Sequence, residues 1–287
     1  MKCFYHNDLD GRCAGSIVAQ YTGNYNSEDY IEVDYAMKLP LDKIQDGEDV
    51  WFVDYSFKKD TKHILFSLQS KGCNVIWIDH HTSSINLEND VKELKGIKGV
   101  RQEGLSGAIL TYLYVYNCQY HDVPYYIKLV SDYDCWQYKY GSDTTYFKLA
   151  VEAQYFDALD NIWKILYKDS ARGGESYLFS LLQMGSTIKS YIDKDNKYYR
   201  EHFAYKSEIA GYKCLVVNKK TNSWVFGDKY NEYPIVMVWV FDGIKYTYSI
   251  FSSDSSIDCS KIAEGYGGGG HKGAAGFSSE ELLFKKI

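Results

Sequence analysis

Three short apolar runs in this chain each stop at side chains that bind metal or move protons. Residues 74–78 (NVIWI) end at Asp79-His80-His81, residues 49–53 (DVWFV) end at Asp54, and residues 2–5 end at His6, which opens HNDLDG with Asp8 and Asp10. A fourth segment, KLVSDYDCW, carries Asp132 and Asp134. The set His6, Asp8, Asp10, Asp54, His80 and Asp132 is rich in oxygen ligands, with a minority of imidazoles and no thiolate. Carboxylates gathered within a few ångströms cannot all ionise without a large repulsive cost. Divalent cations remove that cost, and two of them formally balance four negative charges. Such donors favour Mn²⁺ or Mg²⁺ over a structural zinc, and a pair of these cations is a recurrent device for phosphoester hydrolysis. Taken singly, each residue has an ordinary reading: Asp and Gly suit any turn, Asp54 can cap the segment before Lys58, and histidines are common at surfaces. Taken together, those ordinary readings would require every polar strand end to be a coincidence.

Elements that would gather these ends can be read from the periodicity. After His6, the positions Cys13, Ala14, Ile17, Val18 and Tyr21 fall at helical spacing. Tyr30 to Asp34 alternates as a strand does. A helix with Ile64, Leu65 and Leu68 facing inward follows the 49–53 run, with Asp60 expected as its cap and Gly72 closing it. Strands alternating with helices predict an α/β fold with a parallel sheet and right-handed crossovers, which puts His6, Asp54 and Asp79 on one edge. Ser106–Tyr116 reads as a helix, and another starts at Val123-Pro124. Residues 143–203 read as helical throughout. From Ala210 the texture becomes β: 212–217, 234–241 and 245–251, then a short helix, the glycine run Gly267–Gly270 as a loop, and a last strand. The expected divisions are 1–140, a helical insert and connector over 141–205, and a smaller α/β domain over 206–287.

With 287 residues, 45% hydrophobic and 24% charged, the chain has an ordinary globular composition. Its net charge of −6 disfavours wrapping of duplex nucleic acid, which needs a broad basic face. Seven scattered cysteines with no CxxC pair suggest free thiols in a reducing compartment. No apolar run approaches membrane-spanning length, and no secretory leader is evident, so a cytoplasmic location is expected.

HNDLDG, the carboxylate of VDYS, DHH, the later SD and the C-terminal GGGGHKGAAGF resemble, in that order, the motifs of the DHH/DHHA1 phosphoesterases. That family includes the exonuclease RecJ, nano-RNases, pAp phosphatases and cyclic-dinucleotide phosphodiesterases. The resemblance covers both ends of the chain and implies an active site in a cleft between two domains. It implies that His6, Asp8 and Asp54 hold one cation and that Asp10, Asp54, His80 and Asp132 hold the second, with Asp54 bridging. Mn²⁺ is the expected metal, with Mg²⁺ as the alternative. Asp79 would orient an imidazole in support of His80, and His81 would face the scissile phosphate. Asp132 is preferred to Asp134 because it follows the apolar turn Leu129-Val130, as the family's fourth motif does.

In the C-terminal motif, Gly268, Gly269 and Gly270 would leave backbone N–H groups open to an anion, and His271 would meet a terminal phosphate. The chain departs from the family at Ser249-Ile250-Phe251-Ser252, where Phe251 stands in place of a phosphate-clamping Arg; Phe251 could stack on a base or be core, and Lys272 or Arg12 could supply the charge. The implied activity is hydrolysis of short oligonucleotides or linear dinucleotides to 5′-mononucleotides. The rivals are a pAp phosphatase, a cyclic-dinucleotide phosphodiesterase and a non-catalytic nucleotide-binding module. Expected partners are short single-stranded RNA or DNA, or a nucleotide, with a homodimer allowed and neither duplex nor membrane.

Overall fold

A computed structural model describes residues 1–154 and 156–287, which divide into two units, Met1–Ile188 and Lys189–Ile287. The first unit is built on β1 (Lys2–His6), α1 (Leu9–Thr22), β2 (Tyr30–Val33), β3 (Asp49–Val53), α2 (His63–Ser70), β4 (Asn74–Ile78) and α3 (Thr82–Asp90). Helices α4 (Gly107–Tyr116), α5 (Tyr125–Asp134), α6 (Ser142–Glu152), α7 (Asn161–Ala171) and α8 (Ser176–His202) follow, the last spanning the division.

The four strands pair in parallel in the order β2-β1-β3-β4. A sheet buried on both faces needs apolar strands rather than alternating ones, and CFY, VWFV and VIWI meet that need. One face carries Tyr5, Trp51, Val53 and Ile78 against the small-residue side of α1 and against α4–α7. The other carries Phe4, Phe52 and Trp77 against α2 and the segments around Leu87 and Leu94. Residues 142–181 contribute Phe147, Ala150, Trp163, Leu166 and Leu181 to the first of these cores, so these helices belong to the sheet's own packing. Each fully buried large apolar side chain stabilises the fold by about 1.5–3 kcal/mol.

Connections from β1 run to one side, to β2, and those from β2 run back across to β3. This reversal of direction opens a crevice at the carboxyl ends of β1 and β3, the place where open α/β sheets bind ligands. Helix α1 begins there, with Asp8 as its cap accepting from Gly11 N, and it ends at Gly23 in the left-handed region. Helix α2 differs from expectation at its start. Asp60 does not cap it; its backbone carbonyl instead pairs with His63 Nδ1 at 2.7 Å.

The second unit has β5 (Tyr205–Ile209), β6 (Tyr212–Asn218), β7 (Ile235–Phe241), β8 (Tyr246–Phe251), α9 (Cys259–Glu264), β9 (Gly269–His271) and β10 (Ala274–Ser279). They form a sheet in the order β5-β6-β7-β8-β10-β9, antiparallel except between β6 and β7. The glycine run departs from the open loop expected of it. Gly269–His271 is an edge strand paired with Ala274–Gly276. A Cβ on Gly268 would lie 2.1 Å from the Gly276 carbonyl, so close backbone packing already requires glycine there. Phe251 is half-buried and packs on a cluster with Val236, Val238 and Phe226. All seven cysteines are free. Among the described residues, no helix is long and apolar enough to cross a membrane.

Candidate metal centre

Asp54 lies one residue beyond β3, where the backbone turns back to donate from Asp54 N to the Ile78 carbonyl at 2.9 Å. Its φ is 55°, a left-handed conformation that costs a non-glycine residue about 1–3 kcal/mol. The turn delivers the carboxylate into the crevice, fully buried, with no hydrogen-bond partner for either oxygen among the described residues. Gly107 packs directly on it: a Cβ there would come within 2.6 Å of Asp54 Cβ and 3.0 Å of an Asp10 oxygen.

On one side of Asp54 stands the end of β1. His6 Nδ1 pairs with Asp8 Oδ2 at 2.8 Å and lies 3.9 Å from Asp54 Oδ2, while Asp8 Oδ1 caps α1. Burial alone would lower the His6 pKa, but Asp8 outweighs it and the net shift is upward. Burial likewise pushes Asp8 up, and the hydrogen bond and charge of His6 bring it below the usual carboxylate range.

On the other side stands His80. Its Nε2 is 3.3 Å from Asp54 Oδ1, 3.3 Å from Asp134 Oδ2 and 4.0 Å from Asp10 Oδ2. Three carboxylates converge on one imidazole nitrogen. Burial disfavours the imidazolium, yet Asp54, Cys135 and Asp10 raise the His80 pKa to about 12. The carboxyls are raised too. Burial, followed by the charge of Asp10, pushes Asp134 up to about 7 and Asp54 well above its ordinary value; Asp10 is raised as well, chiefly by burial. Asp10 is fixed by the start of α4, where Gly107 N donates to Oδ2 at 2.6 Å and Ala108 N to Oδ1 at 3.1 Å.

Asp132 does not join this group. It accepts from Lys139 N at 2.9 Å, Tyr140 N at 3.2 Å and the Thr144 hydroxyl, and so organises the loop after α5. Asp134, two residues on, projects from a different side of the helix and faces His80. Its Oδ2 is another buried oxygen without a hydrogen-bond partner. The expected support of His80 by Asp79 is also corrected. Asp79 Oδ1 accepts from the ring of His81 at 2.7 Å and reaches His80 only through its backbone N–H, at 2.8 Å. Asp79 Oδ2 accepts from Ser56 Oγ at 2.9 Å and from the Ser84 hydroxyl. Burial would raise the Asp79 pKa, but His81, Ser84 and Ser56 hold it below the carboxylate range.

Three candidate ligand groups are found among the described residues: His6, Asp8 and Asp54; Asp54, Asp79, His80 and His81; and His80, Asp134 and Cys135, so that Asp54 joins the first to the second and His80 joins the second to the third. The buried oxygens of Asp54 and, on the His80 side, Oδ2 of Asp134, all without a hydrogen-bond partner, fit divalent cations by charge and by donor type. Cys135 and Tyr35 carry no signal in the sequence that marks them for the site. The Tyr35 ring is 5.0 Å from that of His6 and 6.5 Å from that of His81, and its hydroxyl accepts from Ser56 N at 3.2 Å. Arg12, considered as a phosphate contact, is held by Glu32 at 2.8 and 3.0 Å. His271 and Lys272 are exposed on the second unit, at and just beyond β9.

No family model matches the sequence. Uncharacterized protein R106 of Acanthamoeba polyphaga mimivirus is 27% identical over 248 residues, covering 83% of this chain and 54% of that protein. The chain thus spans about half the length of this curated relative. A pGpG-specific phosphodiesterase of Vibrio cholerae superposes with a TM-score of 0.57 at 10% identity, over 98% of this chain and 94% of that one. The DHH domain of a member of a family of ribosomal proteins gives 0.53 at 11% identity, over 96% of this chain and 81% of that one. At these identities the likeness is one of fold, and the fold is that of the DHH-domain proteins.

Proposed function

We propose that this DHH-fold chain is a divalent-metal-dependent phosphoesterase that cleaves short oligonucleotides or linear dinucleotides to 5′-mononucleotides. The observation that carries the reading is Asp54, a buried carboxylate with neither oxygen hydrogen-bonded, set between His6–Asp8 and His80–Asp134. A charge so placed is costly unless it is paired or coordinates metal. In this reading His6, Asp8 and Asp54 hold one cation, and Asp10, Asp54, His80 and Asp134 hold a second, with Mn²⁺ preferred and Mg²⁺ an alternative. When bound, such a pair activates water and draws charge from the phosphoryl oxygens.

The chain's own groups would do the rest. The Nδ1 proton of His81 is engaged by Asp79, which Ser56 and Ser84 hold in turn, so the ring has one orientation and Nε2 is left for substrate. From there it can position the phosphate or give a proton to the leaving oxygen. Gly107, by its lack of a side chain, keeps Asp54 and Asp10 close together. In the second unit, Gly269, Gly270, His271 and Lys272 are the candidates for substrate contacts, whereas Gly268 N already donates to the Ala263 carbonyl at 2.9 Å. Phe251, half-buried in that unit's packing, retains part of its ring for stacking on a base.

The test is incubation with Mn²⁺ and, separately, pAp, a 5-mer RNA, pGpG and c-di-GMP. Release of 5′-mononucleotides from the 5-mer and pGpG is expected. Consumption of the cyclic compound alone, or of pAp alone, would overturn the substrate assignment, and no turnover of any would overturn the activity.

A further inference from the structure

Resting on that reading, the structure assigns a further contact: Lys58, held over the Tyr35 ring, is a specificity-determining residue that takes a second, non-scissile phosphate of the substrate. Once two divalent cations balance the carboxylates around Asp54, an incoming phosphoester with two phosphates still brings uncompensated negative charge. Cationic side chains near the crevice are largely committed elsewhere. Arg12 is paired with Glu32, Lys59 with Asp90 at 3.0 Å, and Arg101 with Glu88 and the Trp77 carbonyl. Lys58 differs. It is exposed, its ammonium is in no ion pair among the described residues, and it lies 5.7 Å from the centroid of Tyr35.

Tyr35 ties that ammonium to the site. Its ring lies 5.0 Å from His6 and edge-on to His81 at 6.5 Å, and it stacks on Tyr55 at 5.3 Å. Its hydroxyl accepts from the backbone of Ser56, whose own hydroxyl holds Asp79 and through it His81. One aromatic ring thus contacts a candidate metal ligand and the candidate phosphate-facing imidazole, and it carries a cation on its π-face. Adjacent phosphates along a nucleotide are several ångströms apart, a distance that the flexible Lys58 stem can span from this platform.

The test compares binding of pGpG and GpG, which differ by one terminal phosphate, by calorimetric titration with Ca²⁺ as the only divalent cation. Wild type is expected to bind pGpG at least about tenfold more tightly than GpG, as a charge-assisted contact implies. In Lys58→Ala the ratio should fall at least about threefold, and in Lys58→Arg it should persist. A wild-type ratio near one, or the wild-type ratio retained in Lys58→Ala, overturns the assignment. Turnover of pGpG with Mn²⁺ tests the parent reading separately, since the binding ratio does not depend on it.

Discussion

Asp132→Ala and Asp134→Ala, substitutions two positions apart on one helix, should have opposite signatures. Asp132 accepts three hydrogen bonds, from Lys139 N, Tyr140 N and the Thr144 hydroxyl, and it is buried. Truncation leaves those donors without a partner, at about 1–3 kcal/mol each. Allowing for partial relaxation, the total is about 3–5 kcal/mol, at the severe end for a point substitution. For a unit of this size, that corresponds to a fall in Tm of roughly 6–20 °C. Asp134 contributes no hydrogen bond through its buried Oδ2, and burial together with the charges of Asp10 and Asp8 outweighs its contact with His80. Its removal from the metal-free protein should leave Tm unchanged or raise it. Mn²⁺ reverses the ranking. At about a hundredfold excess over Kd a bound ion stabilises the folded state by about 2.7 kcal/mol; Asp132→Ala should keep most of that shift and Asp134→Ala should lose most of it. Differential scanning fluorimetry with EDTA or MnCl₂ reads both quantities. An Asp132→Ala protein with wild-type metal-free Tm and no Mn²⁺ shift, beside an Asp134→Ala protein that keeps the shift, would refute the reasoning.

Stability of the metal-free protein should fall as pH rises, through the same cluster. Below its ordinary value of 3.8, Asp134 is protonated folded and unfolded and contributes nothing; between 3.8 and about 7 the unfolded chain releases its proton first, so stability declines, and the cost is complete above 7. His80 acts in the same direction, because its stabilisation is fully present below 6.5 and is lost as pH rises toward about 12. The Tm difference between wild type and Asp134→Ala in EDTA should therefore grow more unfavourable to wild type from pH 5 to 8, and a flat difference would contradict this. His81→Ala should lower kcat by about 10²–10⁴ while keeping the Mn²⁺-dependent thermal shift; loss of that shift would instead make His81 a ligand.

Much of the site is legible in the strand ends. Apolar runs that stop at His6, Asp54 and Asp79 become parallel neighbours, and the crevice between β1 and β3 gathers them. The choice between Asp132 and Asp134 is harder because both occupy one helix end. Residues two apart project from different sides of a helix, so only the register of α5 decides which meets His80. The apolar neighbours of Asp132 do mark burial, but burial in a backbone hydrogen-bond network. For Asp79 the obstacle is again local geometry, since the backbone after β4 brings His81, not His80, over its carboxylate. Tyr35, Lys58 and Cys135 cannot be found from spacing, because their relation to the site depends on loop paths after β2, β3 and α5. The glycine run suggests an open cradle, whereas its pairing with β10 shows that tight backbone packing is reason enough for Gly268.

In the proposed centre Asp54 is shared by two cations. The most direct measurement is the number and affinity of Mn²⁺ ions bound per chain, from electron paramagnetic resonance of free Mn²⁺ during titration of wild type and Asp54→Ala. Two ions are expected for wild type and, for Asp54→Ala, loss of tight binding at both positions with the fold retained by circular dichroism. Two ions bound with undiminished affinity in Asp54→Ala, or none in wild type, would contradict it.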